Sequence, residues 1–546
     1  MRFLSAALIF SLFSLSSPVQ GQEETPPIFG EVIDVRVVNV EVVVTDRDGN
    51  RVPDLKTGDF RLKVDGKEVP ISFFTEVRGG QSVAPAGEAG QEPVAGSVAG
   101  VEPGGEVGTS YLVFIDDYFS IEKHRNEVLR SLKDDLARLG PQDRMAIVAF
   151  DGGRLSMLST WSGSANQLAR AIDVAMGRPA RGLDRVTELR TLRNDTSFAG
   201  QSVGDNAQLD LNARVLGSGL NLTQQAYADT LVRQIDSVAS AAVSTLRAFA
   251  APPGRKVMVL LSGGWPFSVT GFLTDGSGMP SKQVREGEEL LRPLTNTANL
   301  LGYTVYPVDV PGMQTVAADA SLASPQGINS FHEQEIEGTL EFLAQQTGGK
   351  PIRNSNRNAA LREASADTRS YYWLGFSPAW ERNDKRHKVD VDVLRPGLRV
   401  RARQGFLDLS KKAEVSMMLE SALLFGNLPG GLQMPLKVGT PVRGKKGVEI
   451  PITLGLPVAA LTVVPIDGKF AAQAELRIAA SNKEGNSSEI PVIPITLKSD
   501  QPPKPGGFVR YDTKITLRGG ANHLVIALYD PLSGKLATAE TDIVMP

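Results

Sequence analysis

The stretch Thr109-Ser-Tyr-Leu-Val-Phe-Ile-Asp-Asp-Tyr-Phe-Ser120 decides how the rest of the chain is read. An apolar run of strand length stops at two carboxylates, and an amphipathic helix pattern opens just after the serine. Strand and helix patterns then alternate to about residue 369. Tyr111–Ile115, Met145–Phe150, Lys256–Leu261 and Tyr303–Asp309 read as strands, with Leu155–Leu158 as a short edge strand. Helical stripes separate them: Ile121, Val128, Leu129, Leu132, Leu136 and Leu139, stopped by Gly140-Pro141, and later Leu290, Leu294, Ala298 and Leu301. Pro293 marks a kink or a first turn there. This alternation predicts a central doubly wound parallel-sheet α/β domain over 109–369, with helices on both faces. A polar insertion, 178–221, carries Arg178, Arg181, Arg185, Arg190 and Arg193; it reads as a solvated loop or as a partner-binding arm.

On either side the pattern turns to β. Residues 30–78 alternate with period 2: Val38, Val40, Val42 and Val44 share a face, and Asp48-Gly49-Asn50 and Asp65-Gly66-Lys67 supply hairpin turns. Residues 79–108 are rich in Gly, Ala, Pro and Glu without periodicity, the composition of a flexible linker. Residues 370–407 hold further strands, placed to pack with the N-terminal module. Residues 411–546 read from about Ala413 as short strands between Gly, Pro, Asn and Asp turns, the pattern of a C-terminal β-sandwich. The expected fold class is therefore multidomain α/β plus all-β.

The chain has 546 residues, with 58 Lys+Arg against 61 Asp+Glu, a net charge of −3 that gives no reason to expect nucleic acid as a partner. It lacks cysteine, which removes disulfides, thiol nucleophiles and thiolate metal sites. Met1-Arg2-Phe3 and the apolar run to about Leu15 have the form of a signal peptide, with Val19-Gln20-Gly21 suited to cleavage after Gly21. No later apolar run is long enough to span a membrane. The expected product is exported, to the periplasm or the cell exterior.

Four pieces together resemble the proteins related to the von Willebrand factor A domain that are described from Acidobacteria. They are the valine-rich hairpin with Asp65-Gly66-Lys67, Phe114-Ile-Asp-Asp117, Leu343-Ala-Gln-Gln-Thr-Gly-Gly349, and Tyr371-Tyr-Trp-Leu-Gly-Phe-Ser-Pro378 with Arg395–Phe406. The resemblance covers roughly 30–407. It implies an A-type domain and a role in protein recognition or adhesion. In that family a divalent cation, Mg or Mn, sits on an Asp-x-Ser-x-Ser turn, with a threonine and an aspartate from two further loops. Here Asp116 and Ser120 match the first and last positions of the turn, and Tyr118 replaces the middle serine. The third-loop position falls near Ser262-Gly263-Gly264, which has no carboxylate. Two readings stand. Asp116 and Ser120 hold a metal in a degenerate site, aided by Asp117, Asp151 and Asp309 at other strand ends; or Asp116 accepts backbone hydrogen bonds and Ser120 caps the following helix.

Catalysis finds little footing. His124, His332, His387 and His523 lack ligand spacing, and neither a nucleophile elbow nor a phosphate-binding glycine loop is present. The leading expectation is a non-enzymatic protein that binds a protein partner through a rim of Asp116, Asp117, Ser120 and Ser262. The alternatives are a cation-dependent adhesin and a structural component of the cell envelope.

Overall fold

Valine at every second position makes Val38–Thr45 (β1) a strand whose Val38, Val40, Val42 and Val44 point into one core. Phe60–Val64 (β2) turns into Lys67–Val69 (β3) through Asp65-Gly66, at φ 49° and 79°. Two left-handed residues make the type I′ turn whose twist suits a two-residue hairpin. Phe73–Arg78 (β4) and Gln81–Val83 (β5) follow. The computed structural model describes residues 37–83, 104–201, 222–249, 254–274, 284–285, 287–312, 326–378, 381–425, 432–444, 447–466, 468–482, 492–517 and 520–545. The expected signal peptide, 1–21, lies outside them, as does most of the expected linker; the described ends of that linker are paired, Ser82 N donating to Gly105 O and Gly104 N to Ser82 O. The described chain divides into two units, Val35–Ser410 and Lys411–Pro546.

In the first unit, Thr109–Asp116 (β6) is buried at every position, as the unbroken apolar run requires. It leads to Glu122–Asp134 (α1), Arg144–Phe150 (β7), Leu155–Ser162 (β8) and Ala165–Met176 (α2). Gly182–Gln201 (α3) is helical, where the composition suggested a loop or arm. Leu222–Ala248 (α4), Arg255–Ser262 (β9), Val269–Leu273 (α5), Glu288–Leu301 (α6), Tyr303–Asp309 (β10), Gln326–Thr347 (α7) and Ala360–Thr368 (α8) complete the series. Pro293 lies inside α6. The strand order is β10-β9-β6-β7-β8, parallel except for the antiparallel edge strand β8. Val113, Ile115, Ile147, Val259 and Val308 pack on α1, α2 and α8, and α4, α6 and α7 contact the sheet from their own positions.

Tyr371–Phe376 (β11), Lys385–Val393 (β12), Arg399–Ala402 (β13) and Gly405–Asp408 (β14) return to the N-terminal strands. β1 lies between β11 and β13, with Val38 opposite Phe376 and Val42 opposite Ala402, and β12 pairs with β2. Sheets β13-β1-β11-β4-β5 and β14-β12-β2-β3 share a core of Val40, Leu62, Tyr372, Leu374, Phe376 and Phe406. Asp367, at the end of α8, joins these strands to the parallel sheet. Its carboxylate accepts from Arg401 Nη2 at 2.7 and 2.6 Å, from Tyr306 Oη at 2.6 Å, and from Arg51. The neighbouring guanidiniums outweigh burial and hold its pKa down at about 2.

The second unit opens with a helix, Lys411–Phe425 (α9), where strands were expected. Val415, Leu419 and Ala422 pack on Ala479, Val525, Ala527 and Tyr529, the outer face of a sheet built on Lys469–Asn482 and Gly520–Tyr529. The inner face, with Leu476, Ile478, Leu524 and Ile526, meets Ile450, Ile452, Leu454 and Leu456 of Val448–Pro457 in a second sheet.

These pairings correct the expected fold class. A molecule organised round a central doubly wound domain of von Willebrand factor A type is not what the sheets describe; the chain is mixed α/β, with mostly antiparallel sheets. Parallel pairing among the described residues is confined to β10-β9-β6-β7, a two-residue contact, Leu432–Gln433 with Ala537 and Thr538, and a single bridge between Val308 and Ile352. Parallel neighbours need a long crossover, which the helices joining those four strands supply, whereas tight turns and returning strands give antiparallel ladders elsewhere.

Candidate functional site at the strand-end turn

Because β6 is buried to its last residue, the two carboxylates at its end must find partners inside the protein. Asp116 Oδ1 accepts from the backbone N–H groups of Tyr118 at 3.0 Å and Phe119 at 3.1 Å, curling the chain into an Asx turn. Its Oδ2 accepts from Trp265 Nε1 at 2.9 Å and Ser262 Oγ at 3.2 Å. Complete burial pushes the Asp116 pKa up to about 6, against the pull of these donors. Asp117 is equally enclosed. Its Oδ1 pairs with Arg125 Nη1 at 2.5 Å and its Oδ2 with Arg178 Nε at 2.8 Å, while the Asp117 carbonyl accepts from Arg181 N at 2.7 Å. Burial pushes its carboxyl upward, and the two guanidiniums draw it back.

The arginines come from both sides of the turn. Arg125 is on α1 and also donates to the carbonyl of Arg178 at 2.8 Å, which fixes the connection between α2 and α3 over the turn. Tyr118 lies flat on Gly152, where a Cβ would come within 2.1 Å of its ring. The Arg185 guanidinium lies over that ring at 4.5 Å and donates to its hydroxyl. Backbone fills what remains. A Cβ on Gly263 would stand 2.1 Å from the Phe119 carbonyl oxygen, one on Gly312 2.5 Å from the same atom, and one on Gly182 2.4 Å from the Ser120 carbonyl carbon.

This geometry places the expected site residues inside the protein. Asp116, Asp117 and Ser120 are 0% exposed and Ser262 is 2%, so these side chains form no rim on which a partner could rest. Nor do Asp116 and Ser120 suit Mg or Mn. Both Asp116 oxygens are engaged by hydrogen donors, and two guanidiniums stand beside the turn. A hard cation needs several convergent oxygens, and no group of three or more His, Asp or Glu able to hold a metal occurs among the described residues. Asp151 instead accepts from Gly153 N and Arg154 N and lies 3.7 Å from Arg178; Asp309 lies 3.7 Å from Arg357. Ser120 is not a helix cap either: the cap position of α1 is Ile121, which makes no side-chain bond.

Sequence reading misses Trp265 and Arg125 and puts Arg178 in a solvated loop or arm, not on Asp117. Trp265 follows Ser262-Gly-Gly directly, and an indole N–H beside a strand end is the donor that a buried aspartate requires. The arginines carried no such signal, because their register on the turn comes from how α1 and the α2–α3 connection pack.

No family model and no curated protein matches the chain. Among solved structures it is similar to a β-glucuronidase of Bacteroides uniformis at 9% identity and TM-score 0.15, over 33% of this chain and 19% of that one. It is also similar to a pilus adhesin of Lactobacillus rhamnosus GG at 8% identity and TM-score 0.21, over 80% of this chain and 56% of that one. The chain thus spans less than two thirds of either, and at these scores neither assigns fold or function.

Proposed function

We propose that the chain is an exported, non-enzymatic recognition protein that engages a protein partner through surface shape and arginine side chains, without a cation. The observation that carries this reading is the closure of the strand-end turn. Its carboxylates are spent on internal donors, and two arginines face solvent on the segments that enclose it. Arg154 and Arg181 are exposed beside Gly153 and the exposed Leu183. Such a face suits an acidic partner segment, since guanidiniums bind carboxylates bidentately. Export rests on the form of residues 1–21.

The test is capture of partners by the mature protein, compared with a doubly substituted Arg154→Glu, Arg181→Glu protein and with Asp116→Ala. Loss of the captured set in the double variant, and its independence of Mg or Mn, is the expected result. An unchanged set in the double variant would remove the basic face from the reading. A rise in melting temperature with millimolar Mg or Mn would overturn the cation-free turn, because a ligand that binds only the folded state must raise it.

A further inference from the structure

The second unit ends one of its sheets on a long strand, Phe508–Leu517, paired with Val448–Pro457 from Phe508 opposite Pro457 to Leu517 opposite Val448. The facing of its backbone follows from its partner. Gly439 N donates to Pro451 O and Gly455 N to Pro435 O, so Pro451 and Gly455 turn their polar groups away from Phe508–Leu517. The residues opposite them, Lys514 and Arg510, must then also turn theirs away, towards the free edge. Phe508, Arg510, Asp512, Lys514 and Thr516 therefore offer N–H and C=O groups that no strand among the described residues pairs. The alternate residues Val509, Tyr511, Ile515 and Leu517 face the core but are only partly buried against it. An edge with open backbone groups and half-covered apolar side chains is a template for strand addition.

Edge strands are commonly blunted by charge, and this one has Arg510, Asp512 and Lys514 exposed on its outer face. Their order, however, is self-complementary. An antiparallel second copy with its two-fold axis at Thr513 places Asp512 opposite the second copy's Lys514, twice, and Arg510 opposite Thr516. The same register sets Tyr511 against Ile515 and Val509 against Leu517 on the core side, closing the half-covered row. Centring on Asp512 instead would oppose Asp512 to itself and Arg510 to Lys514. Centring on Tyr511 would pair Arg510 with Asp512 but leave Ile515 and Leu517 uncovered. We propose that Phe508–Leu517 is a homodimer interface, two copies joining edge to edge about Thr513 into one continuous sheet. The existing bonds of these charges, Arg510 to Asp512 at 2.9 Å, Lys514 to Glu449 at 3.1 Å and Thr453 Oγ1 donating to Asp512 at 2.6 Å, are solvent-exposed contacts that rearrange at little cost.

The test is sedimentation velocity on the full mature chain across a concentration series, with Asp512→Lys, Lys514→Asp and their equimolar mixture. Each variant alone places like charges opposite one another, whereas the mixture restores opposite charges in a heterodimer. The expected result is a concentration-dependent wild-type dimer, about tenfold or more weaker in each variant and recovered on mixing. A wild type that stays monomeric would overturn the proposal. So would a dimer that both variants leave unchanged, or one that mixing fails to restore. Both positions are exposed, and unchanged circular dichroism and melting of the two variants separate lost pairing from lost folding.

Discussion

Asp116 carries its charge in the interior with neutral donors in place of a countercharge, and this sets a pH dependence. Its pKa of about 6 in the folded chain, against the ordinary 3.8, means that the folded state holds a proton over that span which the unfolded state has released. Stability attributable to this group therefore falls as pH rises from about 4 to about 6, by about 3 kcal/mol. Asp116→Asn should abolish this slope. It should also cost about 1–3 kcal/mol at pH 4, because an amide N–H set against the Trp265 N–H leaves a buried donor unpaired. Urea unfolding of both proteins at pH 4, 5, 6 and 7 checks this: the gap between them must shrink as pH rises, and parallel curves would show that Asp116 does not titrate there. Asp117 behaves differently, since removing it strands Arg125, which is buried. Asp117→Ala should cost about 3–5 kcal/mol by the same measurement.

At the scale of elements, the turn after β6 is held by close approach of backbone from β9, α3 and the chain after β10. Gly263→Ala pushes a Cβ into the Phe119 carbonyl, a rigid neighbour, so it should destabilise by several kcal/mol or prevent folding. Gly58→Ala, with nothing within 4 Å of its Cβ, is the matched control and should leave the melting temperature nearly unchanged. Much of this architecture is legible in sequence. The buried run of β6, the period-2 valines of β1 and the Asp65-Gly66 turn each follow from local chemistry. What local chemistry cannot supply is a partner: nothing in Val38–Thr45 says that its neighbours are Tyr371–Phe376 and Arg399–Ala402. Lys411–Phe425 is hard to read as a helix because Met417, Met418, Leu423, Leu424 and Phe425 blur the stripe of Val415, Leu419 and Ala422 that packs on the sheet. The site was legible only as a position. Asp116 and Ser262 were expected near one another and do meet, but their burial depends on Arg178, Trp265 and three glycine contacts that no spacing rule connects.

At the scale of the molecule, the two units have separate cores, so calorimetry of the full chain should resolve two unfolding transitions. Asp367→Asn tests which is which. Asp367 is held at about 2 against the ordinary 3.8; its contribution, about 2 kcal/mol, is present above pH 4 and lost as pH falls through 2. Losing that charge leaves Arg51 and Arg401 uncompensated, so the substitution should lower the transition of Val35–Ser410 and leave that of Lys411–Pro546 in place. A shift of both would show that the units unfold together. The position of β1 also governs when the chain can fold. As the ribosome delivers the polypeptide, a valine-rich ribbon emerges early, and both of its neighbours are more than three hundred residues behind. Until they arrive its hydrogen-bonding groups are open to any other extended chain nearby, a standing invitation to aggregation that a holding chaperone would have to cover.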